Sequence, residues 1–159
     1  MSDFESRAPQ GYICPICAGL NHPGSEHTHI VKGDIVYQDD STTALINTFF
    51  IPGNEGHVIV VPNEHYESIY DLSKEAGHQI FDVAQMLARA IKSAYQTDGI
   101  TLRQNNEPAG GQHAFHYHLH VLPRYDGDDL SNATYHADPA ERAVYADKLR
   151  AQLAITGVK

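Results

Sequence analysis

The sequence lacks the apolar segments that membrane insertion and export require. No apolar run in the 159-residue chain approaches the roughly 18 residues that a membrane-spanning helix needs. The N-terminus, MSDFESRAPQGY, has acidic residues but no basic stretch followed by an apolar one, which is the pattern of a secretory signal. We therefore expect a cytoplasmic protein with no membrane association.

Basic residues are also scarce. The chain has 11 Lys and Arg against 20 Asp and Glu, for a formal net charge of −9. Such a surface repels phosphate backbones, so we expect no nucleic-acid polymer as a partner, and a smaller phosphate would have to be bound in a local pocket. The length fits one domain over residues 1–159, and no internal repeat or low-complexity tract divides it.

Cysteine is limited to two residues, which stand together as Cys14-Pro-Ile-Cys17. In a chain without an export signal, such a pair serves as thiolates more often than as a structural disulfide, so redox chemistry and zinc binding compete. The surrounding Gly, Pro and Asn residues predict a loop over residues 11–30 rather than the strand and helix of a thioredoxin-like motif. His22 and His27 would complete a C-x2-C-x4-H-x4-H zinc knuckle, or they are simply solvated loop residues.

Hydrophobic periodicity predicts an α+β fold. Stretches rich in β-branched or aromatic residues, bounded by turn formers, predict strands at residues 34–38, 42–47, 57–61, 100–104 and 115–122. A helical period predicts a long helix over 73–95, with Ser73 as N-cap and Asp98-Gly99 as its stop. A C-terminal helix over about 138–154 starts at Asp138 as N-cap, with Pro139 in first position and Glu141 reaching back in a capping box. We expect a mostly antiparallel five-stranded sheet with these two helices.

One stretch stands out, HAFHYHLHVLPRY at residues 113–125. His116, His118 and His120 alternate with apolar residues, so a strand would place all three imidazoles on one face. Three rings so close would repel one another if protonated, which should keep them neutral and able to act as nucleophile, base or metal ligand. Few structural roles explain such a triplet, which points to metal binding or phosphate chemistry.

These residues resemble the histidine triad of the HIT superfamily, whose signature is His-φ-His-φ-His-φ-φ with φ apolar. The resemblance extends to NNEPAGGQ before the triad, to GHVIVVPNEHYESIYDL upstream and to the N-terminal CPIC. It implies a nucleotide hydrolase acting on the α-phosphate of a nucleoside 5′-monophosphate derivative, with a purine nucleotide-type substrate. The intact third histidine is similar to hydrolase branches rather than to transferases, which carry Gln there. Features of both Hint-like and Fhit-like branches are present, so the substrate stays open between a phosphoramidate and a dinucleoside polyphosphate.

The resemblance also implies residue roles. His118 would be the nucleophile that forms a covalent nucleotidyl-histidine, with a backbone carbonyl fixing its tautomer. His120, Gln112 and His57 would donate hydrogen bonds to the phosphate. The remaining implied binding residues are Gly110 and Gly111, which let the backbone approach the phosphate, Asn105 for phosphate or sugar, His113 near the leaving group and Asn47 for the ribose hydroxyls.

In bacterial relatives with the cysteine pair, the family pattern completes a zinc site with two histidines, which here are His65 and His116. A closed set of Cys14, Cys17, His65 and His116 would be a structural zinc site, with no cofactor in the chemical step. His22 and His27 stay open as the alternative ligands.

Two further functions compete with the hydrolase: a zinc-stabilised nucleotide-binding or regulatory module with little turnover, and a catalytic metal site built by the triad itself. Family members pair as homodimers through the long helix and an edge strand, for which Ile91 or Tyr95 would be contacts.

Overall fold

A computed structural model describes residues 4–157, and its centre is a five-stranded antiparallel sheet. The strands are β1 (Ile35–Gln38), β2 (Thr42–Ile46), β4 (Val58–Pro62), β5 (Gly99–Gln104) and β6 (Leu119–Arg124), in the spatial order β1-β2-β4-β6-β5. Two short strands, β3 (Phe49–Phe50) and β7 (Tyr135–His136), form a separate antiparallel pair that the sequence did not predict. The predicted fold class is confirmed.

Three helices accompany the sheet: α1 (Pro15–Asn21), α2 (Lys74–Tyr95) and α3 (Pro139–Ile155). The N-cap of α2 is the predicted one, since the Ser73 side chain accepts a hydrogen bond from the Ala76 N–H at 3.1 Å. The helix ends at Gln96, which has a left-handed backbone, two residues before the predicted stop. No helix of residues 4–157 combines the length and the apolar character needed to cross a bilayer.

The predicted capping box of α3 is wrong. Asp138 is the N-cap residue and Pro139 the first helical residue, as expected, but the Asp138 side chain makes no capping hydrogen bond. The Glu141 carboxylate instead accepts a hydrogen bond from the Tyr135 hydroxyl at 2.7 Å, which ties the start of α3 to β7. The Glu141 carboxylate therefore interacts with a side chain outside the helix and not with the helix N-terminus, as the local pattern had predicted.

The largest apolar cluster lies between the sheet and helices α2 and α3. Side chains that alternate along the strands meet the buried stripe of α2 there, including Val60, Val121, Leu87 and Ile91. Ile91 is fully buried within the subunit, and Tyr95 packs on Tyr145 and donates to the Gly56 carbonyl. The predicted contact of Ile91 with a second subunit has no exposed side chain to form it, whereas the predicted contact of the partly buried Tyr95 stays a prediction.

A buried ion pair anchors α3 to the turn before β1. Arg142 and Asp34 are both fully buried, and the Arg142 Nε lies 2.8 Å from Asp34 Oδ1. Arg142 also donates to the backbone carbonyls of Ala137 and His29. Asp34, predicted to begin a strand, lies in a 3-10 turn over Lys32–Asp34, because its carboxylate is committed to Arg142 and to the Val31 N–H.

The opposite face of the sheet carries a smaller apolar cluster. Ile16 of α1 and Ile30 pack there against Leu45, Ile59 and Val61 of the sheet. The predicted loop over residues 11–30 is wrong in part, because Pro15–Asn21 forms α1 with Cys14 as its N-cap. The Cys17 N–H donates to the Cys14 sulfur at 3.3 Å, so the cysteine pair opens a short helix.

Candidate active site and metal centre

The triad begins before its strand does. The predicted strand over 115–122 is wrong for its first four residues, because β6 starts at Leu119. The ladder is interrupted there, since the Tyr117 N–H donates to the Tyr66 carbonyl at 2.6 Å instead of to a neighbouring strand. His116 and His118 therefore sit on an irregular approach to β6, and only His120 lies within it.

The histidines nevertheless lie on the face of the sheet away from α2 and α3. His120 pairs with Ile59, which belongs to the smaller apolar cluster, while Leu119 and Val121 pack on the helix side. The ring centroids of His118 and His120 are 4.9 Å apart, and those of His57 and His120 are 5.4 Å apart. The fold thus brings three of the predicted catalytic side chains into one cluster.

The tautomer of His118 is fixed by a backbone carbonyl. Its Nδ1 lies 2.7 Å from the His116 carbonyl oxygen, which can only accept, so Nδ1 carries the proton. The lone pair is then on Nε2, the nitrogen that a nucleophilic role requires. Burial lowers the pKa of His118 and outweighs the hydrogen bond to His116, which raises it, while the nearby His113 and Arg103 lower it further. His118 is 8% exposed, so a small opening connects it to solvent.

The neighbouring imidazoles are held neutral as well. Burial lowers the pKa of His57 to about 3, with Arg103 and His118 as smaller causes. Burial also holds the pKa of His120 well below its usual value, with further lowering by His118, His57 and Arg103. The expectation of neutral rings agrees with these directions, and desolvation contributes more than mutual repulsion.

His57 is positioned by the turn before β4 and by Asn47. Gly56 has a φ of +78°, and a Cβ there would come within 2.2 Å of the Tyr145 ring, so only glycine fits before this histidine. The Asn47 amide nitrogen lies 2.6 Å from His57 Nε2 and 2.9 Å from the Phe49 carbonyl. With Asn47 donating, His57 carries its proton on Nδ1. That atom is buried without a hydrogen-bond partner in the described residues, as is His120 Nδ1.

The side-chain amides of Asn105 and Gln112 stabilise the loop before the triad. The Asn105 side chain donates to the Gly111 carbonyl at 3.2 Å, and Gly111 has a φ of +86°. Gln112 is 3% exposed, and its amide bonds the backbone of Glu107, Glu67 and Ala114. These contacts make Gln112 a support of the loop, and phosphate binding by its side chain would require it to leave one of them. His113 is exposed at the end of the loop.

Sequence reasoning missed Arg103. It lies on β5 directly opposite His120 in the antiparallel register, so it projects to the histidine face. The alternation of Ile100, Thr101, Leu102 and Arg103 was a signal for a polar side on this strand. The pairing partner of Arg103, however, could be known only from the fold.

A second cluster lies beside the triad. Cys14, Cys17, His65 and His116 offer ligand atoms that all lie within 4.8 Å of one another. The Cys17 sulfur is 3.3 Å from His65 Nδ1 and 3.4 Å from His116 Nδ1, and the Cys14 sulfur is 3.5 Å from His116 Nδ1. Tetrahedral zinc with bonds of about 2.3 Å to sulfur and 2.0 Å to nitrogen would separate S and N by about 3.5 Å. These residues fit a zinc ion.

The fully buried His116 is prepared as a metal ligand. Its Nε2 lies 2.9 Å from the Pro62 carbonyl oxygen, so Nε2 carries the proton and Nδ1 presents a lone pair to the cysteines. His22 and His27 are exposed and outside this group, which is the sole cluster of this kind in residues 4–157. The knuckle alternative is therefore not formed. Of the triad, only His116 belongs to a candidate metal group in that range, which leaves a catalytic metal at the triad without geometric support.

The chain is similar to known proteins both in sequence and in structure. The HIT domain family model matches residues 27–127. The chain is 35% identical over 115 residues to Protein hit of Bacillus subtilis, covering 69% of this chain and 78% of that protein. It is also similar to a crystal structure of a Zn-bound histidine triad family protein from Mycobacterium smegmatis, with a TM-score of 0.74 and 30% identity over 91% of this chain and 95% of that one.

A third relative has a named activity. The chain is 29% identical over 117 residues to a bis(5′-adenosyl)-triphosphatase of Saccharomyces cerevisiae, covering 73% of this chain and 56% of that protein. The family match spans most of the chain and includes the whole triad. This chain therefore belongs to the HIT family, whose members include nucleotide hydrolases. The resemblance read from the sequence is confirmed.

Proposed function

We propose that this protein hydrolyses a nucleoside 5′-monophosphate derivative at its α-phosphate, through a covalent nucleotidyl-histidine on His118. The observation that carries the proposal is the 2.7 Å contact between His118 Nδ1 and the His116 carbonyl. This contact fixes the proton on Nδ1 and leaves Nε2 as a neutral nucleophile. Nearly complete burial keeps the ring unprotonated at neutral pH.

In the first step, His118 Nε2 forms a bond to the α-phosphorus while the bond from phosphorus to the leaving group breaks. The leaving group departs with a proton from a general acid, for which exposed His113 is one candidate. In the second step, water attacks the same phosphorus and gives a proton back to the group that acted as general acid, while the N–P bond breaks and the 5′-monophosphate is released. His118 then regains its starting form.

The other residues hold the phosphate and sugar. His57 Nδ1 and His120 Nδ1 are buried without partners in the described residues, so both are suited to hydrogen bonding with phosphoryl oxygens. The Asn47 amide nitrogen is engaged with His57, which leaves Oδ1 to accept from a ribose hydroxyl. Asn105 and Gly111 would line the phosphate, and Gln112 would hold their loop in shape.

The substrate class is a purine nucleotide joined at its α-phosphate to an amine or a further phosphate. The named activity of the yeast relative supports a dinucleoside polyphosphate, and the sequence likeness to Hint-like proteins supports a phosphoramidate. Comparing kcat/KM for adenosine 5′-phosphoramidate and a diadenosine polyphosphate would rank the two.

The central experiment measures AMP release from both substrates. We expect turnover by the unmodified protein and a loss of roughly 10³-fold or more in His118→Ala, because the covalent route is removed. His78→Ala on the exposed surface of α2 is the matched control and should leave turnover unchanged. Nucleotide binding without AMP release would instead support a zinc-stabilised binding module. Unchanged release by His118→Ala would refute the histidine nucleophile.

We further propose that Cys14, Cys17, His65 and His116 hold a structural zinc ion, with no metal in the chemical step. Four protein ligands would close the coordination sphere, which leaves no position for substrate. Chelation should therefore lower the melting temperature, and protein that remains folded should keep its activity. Immediate loss of activity at full folding, restored by added metal, would favour a catalytic metal at the triad.

We also propose a homodimer in the cytoplasm. β5 is the outermost strand of the sheet next to β6, and its Leu102 is 43% exposed, which supports pairing of this edge with a second copy. Light scattering should give the mass of two subunits, and a monomer mass would reject the dimer. Cell fractionation should place the protein with the cytoplasmic fraction, where cysteine thiolates stay reduced.

A further inference from the structure

Arg103 is the one arginine that the register places directly opposite a triad histidine. The ladder between β5 and β6 pairs Arg103 with His120 and Leu102 with Val121. Residues directly opposite in an antiparallel pair project to the same face. Val121 packs in the cluster under α2 and α3, so Arg103 projects to the other face, where His118 and His120 lie.

The guanidinium lacks a protein partner in residues 4–157. No hydrogen bond or ion pair joins its side chain to a described residue, and its Nε is buried and unpaired. Two other arginines whose side chains are buried or partly buried do have partners, since Arg142 is paired with Asp34 and Arg124 with Asp128. A buried donor without an acceptor costs free energy, which a bound anion would recover.

The catalytic side chains near Arg103 are histidines, which carry no negative charge. Arg103 lies opposite His120 in the ladder, and the ring centroids of His57 and His118 are 5.4 and 4.9 Å from that of His120. Neutral imidazoles can donate hydrogen bonds to a phosphate but cannot balance its charge. A permanently charged guanidinium therefore adds what the histidine cluster lacks.

We propose that Arg103 is a phosphate-binding residue of this site, whose guanidinium binds a non-bridging oxygen of the substrate's α-phosphoryl group beside His120. The inference rests on the proposed function for the identity of the anion, a nucleoside 5′-phosphate. It goes beyond that function by assigning the charge on which recognition of the phosphate depends. The planar fork of guanidinium N–H groups matches the spacing of phosphate oxygens, and water is partly excluded from the contact.

The test is isothermal titration of AMP and of adenosine, which lacks the phosphate, into four proteins: the unmodified protein, R103Q, R103K and R89Q. We expect R103Q to weaken AMP binding by roughly 10- to 100-fold and to leave adenosine binding unchanged. R103K keeps the charge without the fork and should fall between R103Q and the unmodified protein. R89Q removes the same charge from an exposed position on α2 and should match the unmodified protein.

The ratio of AMP to adenosine affinity separates phosphate binding from a folding defect, because misfolding would lower both affinities together. Unchanged AMP binding by R103Q, or an equal loss for AMP and adenosine, would overturn the role of Arg103. Turnover of adenosine 5′-phosphoramidate is measured in parallel. If the unmodified protein binds AMP through Arg103 but releases none from this substrate, the hydrolase proposal fails and the phosphate-binding role stands.

Discussion

The two faces of the central sheet are built from alternate residues of the same strands, yet they differ in polarity and in the size of their apolar clusters. The face under α2 and α3 is a continuous aliphatic core, in which residues such as Val60 and Leu87 are fully buried. The other face has only a small apolar cluster, beside which stand neutral histidines, an unpaired arginine and the cysteine pair. One face therefore supplies most of the stability and the other carries the chemistry.

The apolar face can offset the free energy that is lost by burying polar groups at the site. Burying imidazoles with unpaired nitrogens, as at His57 and His120, is unfavourable, and so is burying the Nε of Arg103 without a partner. The aliphatic face offsets these terms, since each fully buried Leu or Ile side chain contributes about 1.5–3 kcal/mol. Substitutions on the two faces should thus separate stability from activity.

The largest expected effect on stability lies on the helix-covered side. Arg142→Met should lower the free energy of unfolding by about 3–5 kcal/mol, because Asp34 would be left buried without its counter-charge. Urea unfolding measures the loss, and activity at low temperature should persist in the folded fraction. The double variant Arg142→Met/Asp34→Leu should recover part of the loss. A loss below 1 kcal/mol in the single variant would contradict a dependence on this pair.

The metal centre should give the next largest effect. Cys17→Ser should abolish zinc binding and lower the free energy of unfolding by roughly 3 kcal/mol, because the closed ligand set ties α1 to the start of the triad. Metal content by mass spectrometry and thermal unfolding are the measurements. His27→Ala is the control and should keep its zinc. If His27→Ala lost zinc and His65→Ala kept it, the result would support the zinc knuckle with His22 and His27 as ligands.

A smaller effect should appear as a pH dependence from His57. Its pKa falls from its usual value to about 3 on folding, so below pH 6.5 the unfolded chain binds a proton that the folded protein does not. At neutral pH, His57 is uncharged in both states and causes no loss of stability. As the pH falls from about 6 to 4, protonation of His57 in the unfolded chain should lower the free energy of unfolding by about 1.4 kcal/mol per pH unit. His57→Gln should show a slope shallower by this amount in urea unfolding. Equal slopes would mean that His57 titrates normally.

The smallest effect tests the edge of the histidine face. The Phe115 N–H donates to the Tyr12 hydroxyl at 2.9 Å, and the two rings meet edge to face at 5.3 Å. Tyr12→Phe removes the acceptor and keeps the ring, so unfolding should be easier by about 1 kcal/mol. Tyr70→Phe, at an exposed position, is the control and should change stability far less. A larger loss in the control would show that the Tyr12 hydroxyl is not the anchor.

The sequence predicted what local patterns determine. The period of α2 and its Ser73 cap, the five strands of the sheet and the cysteine pair with His65 and His116 all follow from spacing or family likeness, and the structure has them close to where they were expected. The start of the triad strand lies four residues later than predicted, and the other strand ends lie within one or two residues of the prediction, as at Asp34. That the chain is one domain over residues 1–159 stays a prediction.

What the sequence could not supply depends on distant partners. The triad strand starts at Leu119 because the Tyr117 N–H finds the Tyr66 carbonyl, 51 positions away along the chain, which no local pattern reveals. Glu141 accepts a hydrogen bond from Tyr135 and forms no capping box, and the local pattern does not reveal this contact either. Arg103 was missed because its partner across the ladder is set by register. The roles of Asn47, Asn105, Gly111 and His113 toward substrate stay predictions.

The most direct test of a covalent intermediate on His118 is the stereochemical course of hydrolysis at the α-phosphorus. An adenosine derivative with a chiral α-phosphorothioate is hydrolysed in ¹⁸O-labelled water, and the configuration of the product is determined. Attack by His118 followed by attack by water inverts phosphorus twice, so we expect net retention. Net inversion would mean that water attacks the substrate directly, which would contradict a covalent intermediate on His118.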